Sequence, residues 1–160
     1  MINEKEARLR AEAYCSAAER CRSEVLTKLS AYVRKDGLEP ECIDRIMTQL
    51  EADGFIDEDR YAVAFVHDKF SLSKWGRVKI YYALLQKGIH EQTAVRALDS
   101  IDDDEYCRLL ADVLERRLRE MGGTLDYGDS ARLLRYATQR GFEPSLAGEI
   151  IRNIQSTRER

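Results

Sequence analysis

Apolar residues along the chain recur three and four positions apart, the period of a helix that buries one face. Leu29, Tyr32 and Val33 show it, and Ile80, Ala83 and Leu84 show it again. Three stretches built on this pattern align on a glycine: Lys28–Leu50, Lys79–Ile101 and Arg132–Ile154, anchored at Gly37, Gly88 and Gly141. Eight residues before each glycine stand Leu29, Ile80 and Leu133, and directly after it stand Leu38, Ile89 and Phe142. Ten residues after it come Met47, Leu98 and Ile151, and thirteen after it Leu50, Ile101 and Ile154. The first and third stretches also share a Gly-apolar-Glu-Pro run, at Gly37–Pro40 and Gly141–Pro144. So many coincident registers at a period of roughly 50 residues mark a tandem repeat.

Each repeat predicts a helix that stops at its glycine, where a left-handed backbone closes the turn, and a second helix that follows at once. A third helix is expected before each pair, at Ala17–Leu26, Arg60–Phe70 and Glu105–Arg119, with residues 4–14 a further amphipathic helix or lead-in. The acidic runs Asp57-Glu58-Asp59 and Asp102-Asp103-Asp104-Glu105 suit helix N-termini better than a metal site, because they meet unpaired N–H groups and the positive end of the dipole. The expected fold is therefore all-α: three tandem three-helix repeats, about 15–55, 56–101 and 102–156, in a single 1–160 domain. Such repeats cover each other's apolar faces, which predicts an elongated, curved stack.

Composition narrows the class. With 160 residues, 44% hydrophobic and 34% charged, the chain has enough apolar surface for one folded domain and no apolar run that could span a membrane. The first residues are charged from Glu4 onward, so no signal peptide is expected and the location read from the sequence is cytoplasmic. Cys15, Cys21, Cys42 and Cys107 form no C-x-x-C pair and read as reduced helical thiols. No nucleophile elbow and no glycine-rich phosphate loop appears, so the residues show no recognisable catalytic apparatus, and neither cofactor nor metal is expected.

Charge is unevenly spread. The formal total is −3, yet Arg60–Leu98 carries seven cations (Arg60, Lys69, Lys74, Arg77, Lys79, Lys87, Arg96) against Asp68 and Glu91. A basic middle in an acidic chain points to a localised anionic partner. Lys74-Trp75-Gly76-Arg77 falls between two helices, where Trp75 either meets a partner or folds back on its own repeat. Lys69, Lys79 and Lys87 read individually as solvated lysines or as contacts. Arg116, Arg117, Arg119, Arg132 and Arg135 form a second basic cluster, diluted by Asp112, Glu115 and Glu120.

Residues 54–89 carry a more specific signal. Gly54–Ala62 (GFIDEDRYA), Lys74–Ile80 (KWGRVKI) and Leu85–Ile89 (LQKGI) strongly resemble the RecX family. Arg22–Leu26 with Leu29 is similar to that family's first-repeat start, and Arg140-Gly141-Phe142 to its third-repeat corner, so the resemblance covers nearly all of 15–154. It implies three tandem three-helix repeats and a non-catalytic modulator of the RecA recombinase. Such proteins bind the RecA filament on single-stranded DNA and usually suppress its ATPase, extension and strand exchange, in recombination, DNA repair and the SOS response. The candidate filament contacts are Lys69, Lys74, Trp75, Gly76, Arg77, Lys79 and Lys87. The expected partner is the RecA nucleoprotein filament, with weak direct binding of single-stranded DNA, no membrane, and a monomeric chain. Two other readings compete: a helical DNA-binding protein that acts without RecA, disfavoured by the negative total charge, and a helical-repeat scaffold.

Overall fold

The computed structural model describes residues 1–158, and among them every regular element is a helix. In chain order these are α1 (Glu4–Ala17), α2 (Arg22–Asp36), α3 (Cys42–Ala52), α4 (Glu58–Ser71), α5 (Arg77–Gln86), α6 (Glu91–Leu98), α7 (Asp103–Glu120), α8 (Tyr127–Gln139) and α9 (Pro144–Arg158). They fall into three sets of three, with Gly37, Gly88 and Gly141 between the second and third helix of each set. None of the described helices is long and apolar enough to cross a membrane.

All three corner glycines have positive φ, at 73°, 84° and 94°. At two of them the closure is complete. Gly88 N–H reaches the Leu85 carbonyl at 2.9 Å and Ile89 N–H the Leu84 carbonyl at 3.1 Å; Gly141 and Phe142 do the same to Thr138 and Ala137 at 3.0 and 3.1 Å. This is the pairing that satisfies the last carbonyls of a helix. The residue after the glycine then turns inward: Leu38, Ile89 and Phe142 are all buried. The acidic runs cap helices as expected, with Arg60 N–H donating to Asp57 Oδ1 at 3.0 Å and Glu105 N–H to Asp102 Oδ2 at 3.0 Å.

One boundary differs from the sequence reading. The helix before the first pair is Glu4–Ala17, whereas Ala17–Leu26 spans the end of α1, a break at Ala18–Cys21 and the start of α2. The break is fixed by Cys21, whose extended backbone opens α2 and whose N–H donates to Glu24 Oε1 at 3.0 Å. Half of a capping box is made here by a cysteine, a residue that seldom signals a helix start.

The chain divides into two compact units: Met1–Phe65 with Leu84–Ala94, and Val66–Ala83 with the chain from Val95 on. In the first, α1, α2 and α3 pack on one another around Val25, Leu29, Ile46 and Leu50. In the second, α7, α8 and α9 pack together, and Tyr106 stacks between Phe70 and Phe142 with ring centroids 5.8 and 5.5 Å away.

Candidate partner-binding site

The basic corner between α4 and α5 belongs wholly to the second unit. After α4 ends, Leu72 and Ser73 N–H groups return to the Asp68 carbonyl, and Trp75 N–H returns to the Lys69 carbonyl at 2.9 Å. The residue that turns the chain is Lys74, the one described non-glycine with positive φ, at 57°. A side chain in this region costs roughly 1–2 kcal/mol, so something must hold it there. Arg140 does so, donating from Nη2 to the Ser73 carbonyl at 2.6 Å and from Nε to the Lys74 carbonyl at 3.3 Å.

The backbone is tied at the same place. Gly76 N–H donates to the Arg140 carbonyl at 2.8 Å and Val78 N–H to the Gly141 carbonyl at 2.9 Å. A Cβ on Gly76 would lie inside the Gly141 backbone, and one on Gly141 would collide with Lys79. Two glycines are needed here because two main chains touch.

On this platform Trp75 is half-buried, with the Lys79 ammonium 4.3 Å and the Lys69 ammonium 4.7 Å from its ring centroid. Each contact is worth about 0.5–1 kcal/mol at an exposed site, enough to bias where the ammonium sits. Lys74 lies beside them in the chain, half-buried. Val78 and Tyr82 follow one turn apart on α5, 41% and 60% exposed, so the cations border an apolar strip. The two readings of Trp75 merge: its ring leans on its own lysines and still keeps an exposed portion.

The remaining sequence candidates have other tasks. Arg77 spreads its guanidinium over the Tyr106 ring at 3.8 Å, with Nη2 on Asp103 at 2.7 Å and Nη1 on Glu143 at 3.2 Å. Its main-chain N–H donates to the buried Tyr106 hydroxyl at 3.0 Å, and that hydroxyl donates to Glu143. Burial alone would lower the Arg77 pKa, but the Glu143 hydrogen bond and charge outweigh it and hold the guanidinium above its ordinary value. Burial pushes the Tyr106 hydroxyl up, and the Glu143 contact adds to it. Arg77 is thus a cross-link between α5, α7 and the residue just before α9, its charge met by two carboxylates. Gly76 is buried packing. Lys87 lies in the first unit, where its carbonyl accepts from Ser23 Oγ at 2.7 Å and its ammonium pairs with Glu24 at 3.4 Å.

The structure therefore gathers Lys69, Trp75 and Lys79, with Lys74 beside them in the chain, and adds Arg140, Gly141, Val78 and Tyr82, which sequence reasoning did not select as contacts. Only the Arg140-Gly141-Phe142 corner had a visible signal, its likeness to the other repeat corners.

Comparison with known proteins bears on this arrangement. A family profile described as RecX, second three-helix domain, matches residues 57–98, the stretch that contains the corner. Proteins called Regulatory protein RecX align along most of the chain. That of Leptothrix cholodnii is 29% identical over 143 residues, covering 89% of this chain and 85% of its own. That of Clostridium acetobutylicum is 25% identical over 154 residues, covering 94% and 69%.

The chain resembles the RecX family along most of its length.

Its fold agrees with solved RecX structures. The crystal structure of RecX from Lactobacillus salivarius superposes with a TM-score of 0.81 at 20% identity, over 95% of this chain and 96% of that one. A second RecX crystal structure gives 0.77 at 21% identity, over 94% and 73%. The curated relatives are named regulatory proteins.

Proposed function

We propose that this chain is a non-catalytic regulator that binds the RecA filament on single-stranded DNA and inhibits its ATPase, extension and strand exchange. The likeness to RecX proteins along most of the chain is the observation that carries the reading. The corner supports it with suitable chemistry: Lys69 and Lys79 on a half-exposed Trp75, with Lys74 next to it in the chain and Val78 and Tyr82 bordering, offer charge and apolar area together. Aromatic side chains with flanking cations are frequent anchors at protein and nucleic-acid interfaces. Lys87, its side chain 43% exposed, is a further contact from the first unit. Gly76 and Arg77 act by positioning, the first through backbone docking and the second through the Tyr106–Glu143 cross-link.

A DNA-binding role without RecA is the second reading. The net charge of −3 argues against it, because nonspecific affinity grows with the number of phosphates neutralised. The test is the ATPase rate of RecA on single-stranded DNA as this protein is added. A fall that is relieved by the Lys74→Glu, Lys79→Glu double variant supports the proposal. An unchanged rate at saturating protein contradicts it.

A further inference from the structure

A groove of about 540 Å³ opens between α7 and α8, wholly within the second unit and apart from the Trp75 ring. Five cations line it: Lys74, Arg116, Arg117, Arg119 and Arg140. Tyr136 collects two of them, with the Arg117 and Arg140 guanidinium carbons 4.9 and 5.6 Å from its ring centroid. Arg140 is spent on the Ser73 and Lys74 carbonyls. Arg116 and Arg117 turn to one carboxylate, Glu120, at 3.8 and 3.3 Å. Arg119 is exposed and, among the described residues, neither it nor Lys74 has a carboxylate within ion-pair distance.

Glu120 shows what these arginines accept. It is half-exposed and lies on the same helix as the arginines it binds, so an outside carboxylate of the same geometry can take its place. The groove also holds Asp112 and Glu115, which leaves a surplus of two positive charges. Such a lining suits one or two side-chain carboxylates spaced by neutral residues. It suits a continuous row of phosphates poorly, because each added phosphate would approach the groove's own acids.

We propose that the α7–α8 groove is a docking site for an acidic segment of a protein partner, read by Arg116, Arg117, Arg119 and Lys74, with Glu120 as an internal competitor for two of the arginines. The site does not depend on the filament reading, since an acidic segment is bound by its carboxylates whatever protein bears it. Glu120 makes the site distinctive: removing a negative charge from one named position strengthens binding, whereas loss of structure would weaken it.

The experiment is fluorescence anisotropy with a fluorescein-labelled glycine-serine decapeptide carrying two glutamates separated by neutral residues and the full chain, in the absence of RecA and DNA. Binding that weakens with salt is expected. Glu120→Gln should tighten it about threefold, the scale of one exposed ion pair. Arg116→Glu with Arg119→Glu, both exposed and outside the packed core, should weaken it about tenfold or more with the circular dichroism spectrum unchanged. Equal affinity in wild type and both variants would overturn the proposal, as would Glu120→Gln weakening the complex. Displacement of the peptide by a ten-nucleotide oligo-dT at lower concentration than by the same peptide unlabelled would also overturn it, in favour of a phosphate site.

Discussion

Two residues carry costs that the rest of the chain offsets, and both are open to measurement. Lys74 holds a left-handed backbone that glycine would adopt without strain. Lys74→Gly should therefore raise stability by up to about 1 kcal/mol, the relief of strain being partly cancelled by a freer unfolded chain. The same change should weaken filament binding, and a urea titration beside a binding titration checks both effects. Glu58 is the second. Its Oε2 is buried without a hydrogen-bond partner, and burial pushes its carboxyl above the ordinary glutamate value, against the weaker pull of Arg22. A raised folded pKa means that the neutral form favours folding. That benefit is present below the usual glutamate pKa and is lost as pH rises through the folded value. Glu58→Gln should then raise the melting temperature at pH 7 by about 2–4 °C, the shift for roughly 1 kcal/mol in a chain of this size. The gain should vanish near pH 4. A gain that persisted there would show that the carboxylate charge is not the cause.

Helix ends show what was legible in the sequence and what was not. The glycine corners were readable because a helix that stops in a left-handed turn has few alternatives to glycine, and the apolar residue behind it must be buried. Gly88→Val should cost about 1–2 kcal/mol through backbone strain alone, since no neighbouring atom crowds its Cβ position. The start of α2 was missed because its cap is Cys21, whose hydrogen bonds only the folded chain displays. The lysines at Trp75 were legible, lying six residues before and four after it. The role of Arg77 was not, because Asp103 and Glu143 lie far along the sequence and nothing local marks them as its partners. Gly76 likewise reads as a simple boundary until Gly141 is seen against it. This pair predicts a contrast between two substitutions of similar size. Gly76→Ala should destabilise by more than 1 kcal/mol, because backbone rather than a flexible side chain must move. Lys79→Ala should cost less, about 0.5–1 kcal/mol, the loss of one exposed contact with the Trp75 ring, and should act on binding as well. Denaturant midpoints of the two variants make the comparison.

For the whole molecule, the likeness to RecX proteins and the α4–α5 corner lead to one expectation about partners. A chain with a net charge of −3 and a local cluster of lysines around a tryptophan is suited to a surface that offers both apolar contact and negative charge, and poorly suited to bare DNA. Binding should weaken as salt rises, since exposed charges are screened beyond about 8–10 Å near physiological ionic strength. The most direct measurement titrates fluorescently labelled protein with preformed RecA–single-stranded DNA filament, with RecA alone and with single-stranded DNA alone, at one salt concentration. Binding should be tightest to the filament, and Trp75→Ala combined with Lys79→Glu should reduce it at least tenfold at unchanged helicity. Tightest binding to naked DNA, or equal binding with and without RecA, would contradict this expectation.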